Sequence, residues 1–261
     1  AFDAICVQTP ETRAHLLKAG AEPDRVAVTG NIKFDAMQRT HWSASQARSP
    51  VMLGSLLGAG RPTIVAGCVT NYPEQELLLD AFAALRAQHP DALLVLAPRH
   101  PEVTERMQVL RDYLVHRSLA HVFKSQTGDQ ALPDGVACLV LDTMGELRDF
   151  YAAATVSHVG VDHNVLEPLS FGKPVTVVTG WDTTYPSYPV YRMLMDAQAL
   201  QEVTTPATQI ACWQCSLYDP AGYRSRIASI ESTLATAQGA VARHLQHLSH
   251  WLPVGLHSPT T

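Results

Sequence analysis

The 261-residue chain has no apolar run approaching the roughly 18 residues that a membrane-spanning helix needs. Its opening stretch, "AFDAICVQTPETRAHL", has neither a basic n-region nor a long apolar core, so no secretory leader is read there. It also lacks a surplus of positive charge. The 19 Lys and Arg residues face 24 Asp and Glu, a net charge of −5, which argues against nucleic acid as the main partner. Twelve histidines make that charge pH-dependent. There is no internal repeat and no low-complexity tract. Cysteines are few: Cys6, Cys68, Cys138, Cys212 and Cys215. Cys6 and Cys138 sit in apolar strand-like runs and read as buried thiols in a reducing compartment. Cys212 and Cys215 form one CxxC, but no second ligand pair with zinc-site spacing follows, so no metal is expected. No cofactor is expected either.

What the chain does have is rhythm. With 46% hydrophobic and 16% charged residues it can bury a proper core. Short apolar runs alternate with amphipathic stretches: "TIVAGC" (63–68) then "PEQELLLDAFAALRAQ" (73–88), "ALLVLAP" (92–98) then "EVTERMQVLRDYLVH". "ACLVL" (137–141), "TVSHVG" (155–160) and "PVTVVTG" (174–180) repeat the pattern, each leading into a helical stretch. Strands without period-two alternation, each followed by a helix, indicate a parallel sheet covered on both faces. The expected fold is α/β, a doubly wound Rossmann-like domain over residues 63–205. Residues 1–38 resemble the last strand–helix–strand piece of another such domain, most of which lies outside the chain. Residues 39–62, punctuated by Ser, Gly and Pro, read as a linker. Residues 206–261 read as C-terminal helices and a tail.

Open parallel sheets bind ligands beyond the carboxyl ends of their strands. Three polar clusters fall there: "PRHPE" (Pro98 to Glu102), "DTMGE" (Asp142 to Glu146) and "DHNVLEP" (Asp162 to Pro168). Arg99 offers a fixed positive fork for phosphate or carboxylate, with His100 beside it. Gly145 lets a ligand approach the backbone at a helix start, where N–H groups attract an anion. Glu146 would accept from ligand hydroxyls or a base edge. Asn164 and Glu167 would share one helix face. Each cluster also has a purely architectural explanation. Arg99 and Glu102 would make a solvated ion pair, Asp142 or Thr143 would cap a helix, and Asn164 with Glu167 matches a capping box. Three such clusters at successive strand ends favour a ligand site.

Four segments together carry a family resemblance: "VTGNIKFD" (28–35), "LAPRHPE" (96–102), "DTMGELRDFYAAATVSHVG" (142–160) and "HNVLEPLSFGKPV" (163–175). In this order they resemble the 3-deoxy-D-manno-octulosonic acid (Kdo) transferases of lipopolysaccharide synthesis. The resemblance spans residues 1–205 and implies a GT-B glycosyltransferase, of which this chain is the C-terminal, donor-binding half. It implies CMP-Kdo as donor and a lipid A precursor as acceptor, at the cytoplasmic face of the bacterial inner membrane. Arg99, His100, Met144, Gly145, Glu146, Asn164 and Glu167 fall on the family's nucleotide-side motifs. Lys33, in the first segment, and His163, in the last, join the candidate set. The family's catalytic base lies in the N-terminal domain, so no catalytic residue is assigned here. Two features depart from the family pattern. Its Ser-Thr-His-Pro-Gly-Glu-Glu region is "GCVTNYPEQE" (67–76), keeping Glu74 and Glu76. Its longer Gly-rich loop before "HN" is reduced to Val161 and Asp162. A different nucleotide-sugar donor, or a non-catalytic nucleotide-binding or assembly domain, are the alternatives.

Overall fold

A computed structural model describes residues 2–35, 42–249 and 251. The chain divides into two compact units, residues 1–38 with 232–261, and residues 39–231. The boundary expected between residues 38 and 39, and the last residues of the tail, lie outside the described residues.

The first unit opens with β1 (Ile5–Val7), α1 (Pro10–Lys18) and β2 (Val26–Val28). The two strands pair in parallel, with Cys6 opposite Ala27. Thr9 caps α1 by accepting from the Thr12 N–H, and Pro10 occupies the first turn, where no N–H is needed.

The second unit begins inside the stretch read as a linker. α2 (Pro50–Gly58) buries Met52, Leu53 and Leu56. Its glycines and flanking prolines hid an apolar run with helical spacing. Then come β3 (Thr63–Val69), α3 (Tyr72–Gln88), β4 (Leu93–Pro98), α4 (Thr104–His116), β5 (His121–Phe123) and α5 (Lys124–Thr127). β6 (Cys138–Val140), α6 (Leu147–Ala153), β7 (Val156–Val159), α7 (Leu166–Ser170), β8 (Val175–Val178), α8 (Tyr188–Asp196), β9 (Gln201–Val203) and α9 (Pro206–Tyr218) follow. The strands form one seven-stranded sheet in the order β5-β6-β4-β3-β7-β8-β9, every pair parallel. The doubly wound expectation is borne out. Every residue of β4 is buried, as a sheet covered on both faces requires. Leu78, Phe82 and Leu85 of α3 and Trp213 of α9 pack with Ile64, Leu94, Leu96 and Val140 of the sheet. Each such aliphatic side chain contributes about 1.5–3 kcal/mol on burial.

The order reverses at β3. On one side of it lie β4, β6 and β5, the chain reaching the edge strand β5 before it inserts β6, and on the other β7, β8 and β9 follow in chain order. The crevice beyond the ends of β3 and β7 is therefore the topological switch point, where such sheets take their ligands. β3 ends irregularly. Its register against β4 shifts between Gly67 and Val69, and Cys68 takes φ +58°. Gly160, at the end of β7, has no room for a side chain: a Cβ there would stand 2.1 Å from the Cys68 carbonyl oxygen.

α10 (Pro220–Ala237) and α11 (Ala240–Leu248) complete the chain. In the first unit the Asp35 carboxylate accepts from the N–H groups of Gly239, at 2.6 Å, and Val241, pinning the start of α11. Among the described residues no helix is long and apolar enough to cross a membrane.

Candidate functional site

The β4 and β6 strand ends face each other across a cleft of about 240 Å³. Arg99, His100 and Glu102 line one side, Thr143, Met144 and Gly145 the other, and Cys68 contributes from β3. The structure thus joins the first two polar clusters. The Arg99 N–H donates to the Val69 carbonyl at 2.9 Å, fixing the backbone at the strand end. Its guanidinium is exposed and has no hydrogen-bond or ion-pair partner among the described residues. Glu102 pairs with His100 instead, at 3.0 Å from Nδ1.

The turn from Asp142 to Glu146 is held from behind. Asp142 accepts from the Ser125 N–H at 2.8 Å and from the Ser125 hydroxyl at 2.5 Å. Glu146 is buried and takes hydrogen bonds from the Ser49 and Thr143 hydroxyls, with Lys124 Nζ at 3.2 Å. Burial pushes the Glu146 carboxyl up, but the hydrogen bonds from Ser49, Thr143 and Lys124 and the Lys124 charge outweigh it, leaving it below the usual range. Both Glu146 oxygens are therefore committed to the protein. That corrects the expectation that this side chain accepts from ligand hydroxyls: its short reach and three internal donors turn it inward. The N–H groups of Met144, Gly145 and Glu146, by contrast, donate to no protein acceptor among the described residues. α6 starts at Leu147 with Glu146 as its cap residue, and neither Asp142 nor Thr143 caps it.

Met144 is 76% exposed at the cleft rim. Gly145 has φ +85°, which L-residues adopt at a cost, and a Cβ there would meet the Arg48 guanidinium at 2.6 Å. Arg48 Nη1 donates to the Met144 carbonyl at 3.2 Å. The Arg48 N–H and Trp42 Nε1 both donate to Asp149, at 3.1 and 2.9 Å. The stretch read as a linker is thus stapled to the cleft turn.

The third cluster stands beside the cleft. Asn164 is exposed, and its Oδ1 accepts from the Leu166 N–H at 3.2 Å, one residue ahead of the α7 cap residue Val165. No capping box forms. Glu167 lies inside α7, half-buried; burial pushes its carboxyl up against the opposing pull of Arg148. Asp162 Oδ1 accepts from the Asp182 N–H at 2.8 Å. His163 Nε2 lies 3.1 Å from Thr70 Oγ1, so this cluster meets the loop after β3. Lys33 is exposed on a single helical turn, Ile32–Phe34, of the first unit. Thr70, Ser49 and Lys124 went unnoticed in the sequence. Lys124 follows β5, too short to register as a strand, and nothing marks the two hydroxyls.

A family model for 3-deoxy-D-manno-octulosonic-acid transferase (kdotransferase) matches residues 1–36. The 3-deoxy-D-manno-octulosonic acid transferase of Haemophilus influenzae is 31% identical over 242 residues, 89% of this chain and 53% of its own length. The chain belongs to the Kdo transferase family. The Bordetella pertussis transferase is 29% identical over 260 residues, 96% of this chain and 57% of its own length. The chain therefore spans about half the length of these relatives. Among solved structures, the C-terminal CMP-Kdo binding domain of WaaA from Acinetobacter baumannii superposes with a TM-score of 0.58 at 20% identity. It covers 70% of this chain and 98% of that domain. A UDP-N-acetylglucosamine 2-epimerase superposes with a TM-score of 0.61 at 17% identity, over 99% of this chain and 61% of its own. The fold is of the GT-B type.

Proposed function

We propose that this chain is the donor-binding part of a Kdo transferase, which moves Kdo from CMP-Kdo to a lipid A precursor. The observation that carries the proposal is the cleft itself. The Arg99 guanidinium lines one cleft with Met144 and Gly145 beyond adjacent strand ends, and neither it nor the backbone N–H groups of that turn have a protein partner among the described residues. That is the chemistry of a phosphate seat with room for a nucleoside beside it. The family's membership and the named function of its relatives supply the donor and acceptor. In this proposal the acceptor is met at the cytoplasmic face of the inner membrane by peripheral contact, and an N-terminal domain supplies the catalytic base. Residues 39–231, α2 and α9 included, would then be the donor unit, and residues 1–38 with 232–261 the unit that belongs to that N-terminal domain.

Calorimetric titration with CMP, UMP and UDP tests the donor. CMP is expected to bind most tightly, and tighter binding of UDP overturns the assignment. The 261 residues alone are expected to show no transferase activity, because the base lies elsewhere. Turnover of CMP-Kdo with a lipid A precursor by this chain contradicts that. One observation favours a second reading, a different nucleotide-sugar donor. The loop before His163 is only Val161 and Asp162, and the Asp162 carboxylate is tied to Asp182.

A further inference from the structure

Hydrogen-bond accounting at the switch point assigns a protonation state that an anion-binding cleft would not suggest. Thr70 follows β3 and His163 follows β7, the two strands between which the sheet order reverses. Thr70 Oγ1 stands 3.1 Å from the Cys68 carbonyl oxygen and 3.1 Å from His163 Nε2. A hydroxyl has one proton, and a carbonyl oxygen only accepts. Thr70 therefore donates to Cys68, and its oxygen accepts from a protonated His163 Nε2. The Cys68 carbonyl is held there by the irregular end of β3 and by the backbone of Gly160 packed against it.

The rest of the ring follows. Nδ1 has no partner among the described residues and is not enclosed. Burial and the Arg99 charge push the His163 pKa down. Glu74 and Asp162 pull it up and His100 adds to the depression, and the net direction is downward from an ordinary histidine. At pH 7.5 the ring is then neutral, Nε2 carries the proton, and Nδ1 offers a lone pair.

We propose that His163 is the hydroxyl-recognising residue of this site, Nδ1 accepting from a ribose or sugar hydroxyl of the nucleotide ligand while Arg99 and the turn N–H groups take the anion. This rests on the nucleotide reading of the cleft. It divides the labour in a way the charges demand. Arg99 disfavours a second cation beside it, so the neighbouring imidazole serves as an acceptor rather than as another anion ligand.

The test has a spectroscopic arm and a binding arm. Long-range ¹H–¹⁵N correlation of the histidine rings at pH 7.5 is expected to show His163 neutral with the proton on Nε2. Thr70→Val, which removes the acceptor, is expected to abolish that single tautomer. An imidazolium, or a proton on Nδ1, in the wild-type chain overturns the proposal. In the binding arm, CMP and inorganic phosphate are titrated into wild type and His163→Ala. CMP affinity is expected to fall about two- to tenfold, the scale of one hydrogen bond, with phosphate affinity unchanged. Equal losses for both probes make His163 an anion ligand and overturn the role assigned here. If wild type binds CMP and the variant binds it equally, the nucleotide reading stands and the role of His163 alone fails. If wild type binds phosphate but not CMP, the nucleotide reading fails and carries this role with it.

Discussion

Glu74 Oε1 and His158 Nε2 meet at 3.0 Å in an interior where neither side chain is more than 1% exposed. Glu74 sits in the first turn of α3, where Asn71 both caps its N–H at 2.8 Å and donates to Oε2 at 3.2 Å. His158 Nδ1 continues the chain to Thr176 Oγ1 at 2.9 Å, and Gln209 Nε2 closes it at 3.1 Å. Glu74, one of the two acidic residues kept from the family's motif, is thus architectural, joining α3, β7, β8 and α9.

Breaking this pair from one side should be costly. His158→Leu leaves a buried carboxylate without its partner, a loss of about 3–5 kcal/mol. Glu74→Gln keeps an acceptor for the ring and should cost about 1–3 kcal/mol. The double variant Glu74→Met/His158→Leu should lose less than the sum of its single changes, because no orphaned group remains. Urea unfolding gives all three values. Additive losses in the double variant would show that the two side chains do not act as a unit.

The Lys124–Glu146 pair makes a pH-dependent claim. The folded-state pKa of Glu146 is depressed, so its contribution is fully present above the unfolded carboxyl value of about 4.3 and is lost as pH falls through the lower folded value. Lys124→Met removes one charged donor and should cost about 1.5–3 kcal/mol near neutrality. As pH falls through the folded pKa the carboxyl becomes protonated, so the difference between wild type and variant should shrink. Urea unfolding of both proteins at a series of pH values from 7 down to the lowest at which they still fold checks this. A gap that stays constant over the whole series means Lys124 contributes packing and not charge.

The central strands and the three polar clusters were legible because long apolar runs and strand-end punctuation are local signals. Both sheet edges, β5 and β9, were not. They have three residues each, and His121, Gln201 and Glu202 break any apolar pattern. Short edges are a common way to blunt exposed ladders, and they leave little trace in sequence. α2 was hidden because its apolar run is interrupted by Gly54 and flanked by residues that usually mark loops. Which oxygens were free was also invisible. Glu146 looked like a ligand acceptor until Ser49 and Lys124, 97 and 22 positions distant, arrived behind it.

Gly145 combines two constraints that can be separated. Its φ of +85° strains any L-residue, and an added Cβ meets Arg48. Gly145→Ala should lose about 1–2 kcal/mol from the backbone term. The Arg48 end is flexible and should move aside at little cost. Adding Arg48→Ala should therefore restore almost none of the loss. Recovery of wild-type stability in the double variant, measured by thermal unfolding, would place the strain in the side-chain collision instead. Gly145→Val should also bind CMP far more weakly than wild type, because the turn carrying the three N–H groups must shift.

Arg99 gives the cleanest separation of binding from folding. Its guanidinium is exposed and unpartnered among the described residues, so Arg99→Ala should leave thermal unfolding unchanged. A charge-assisted hydrogen bond to phosphate is worth about 1.5–3 kcal/mol, so CMP affinity should fall roughly 10- to 150-fold. Arg99→Lys keeps the charge and loses the planar fork, and should fall between the two. Raising ionic strength from about 0.01 to 0.15 M shortens the screening length, so it should weaken CMP binding in wild type more than in Arg99→Ala. Calorimetric titration at both salt concentrations reads these outcomes directly. If Arg99→Lys binds as weakly as Arg99→Ala, geometry and not charge governs the contact. If Arg99→Ala binds CMP as well as wild type, the phosphate lies outside this cleft, and the strand ends of β4 and β6 are not where the nucleotide sits.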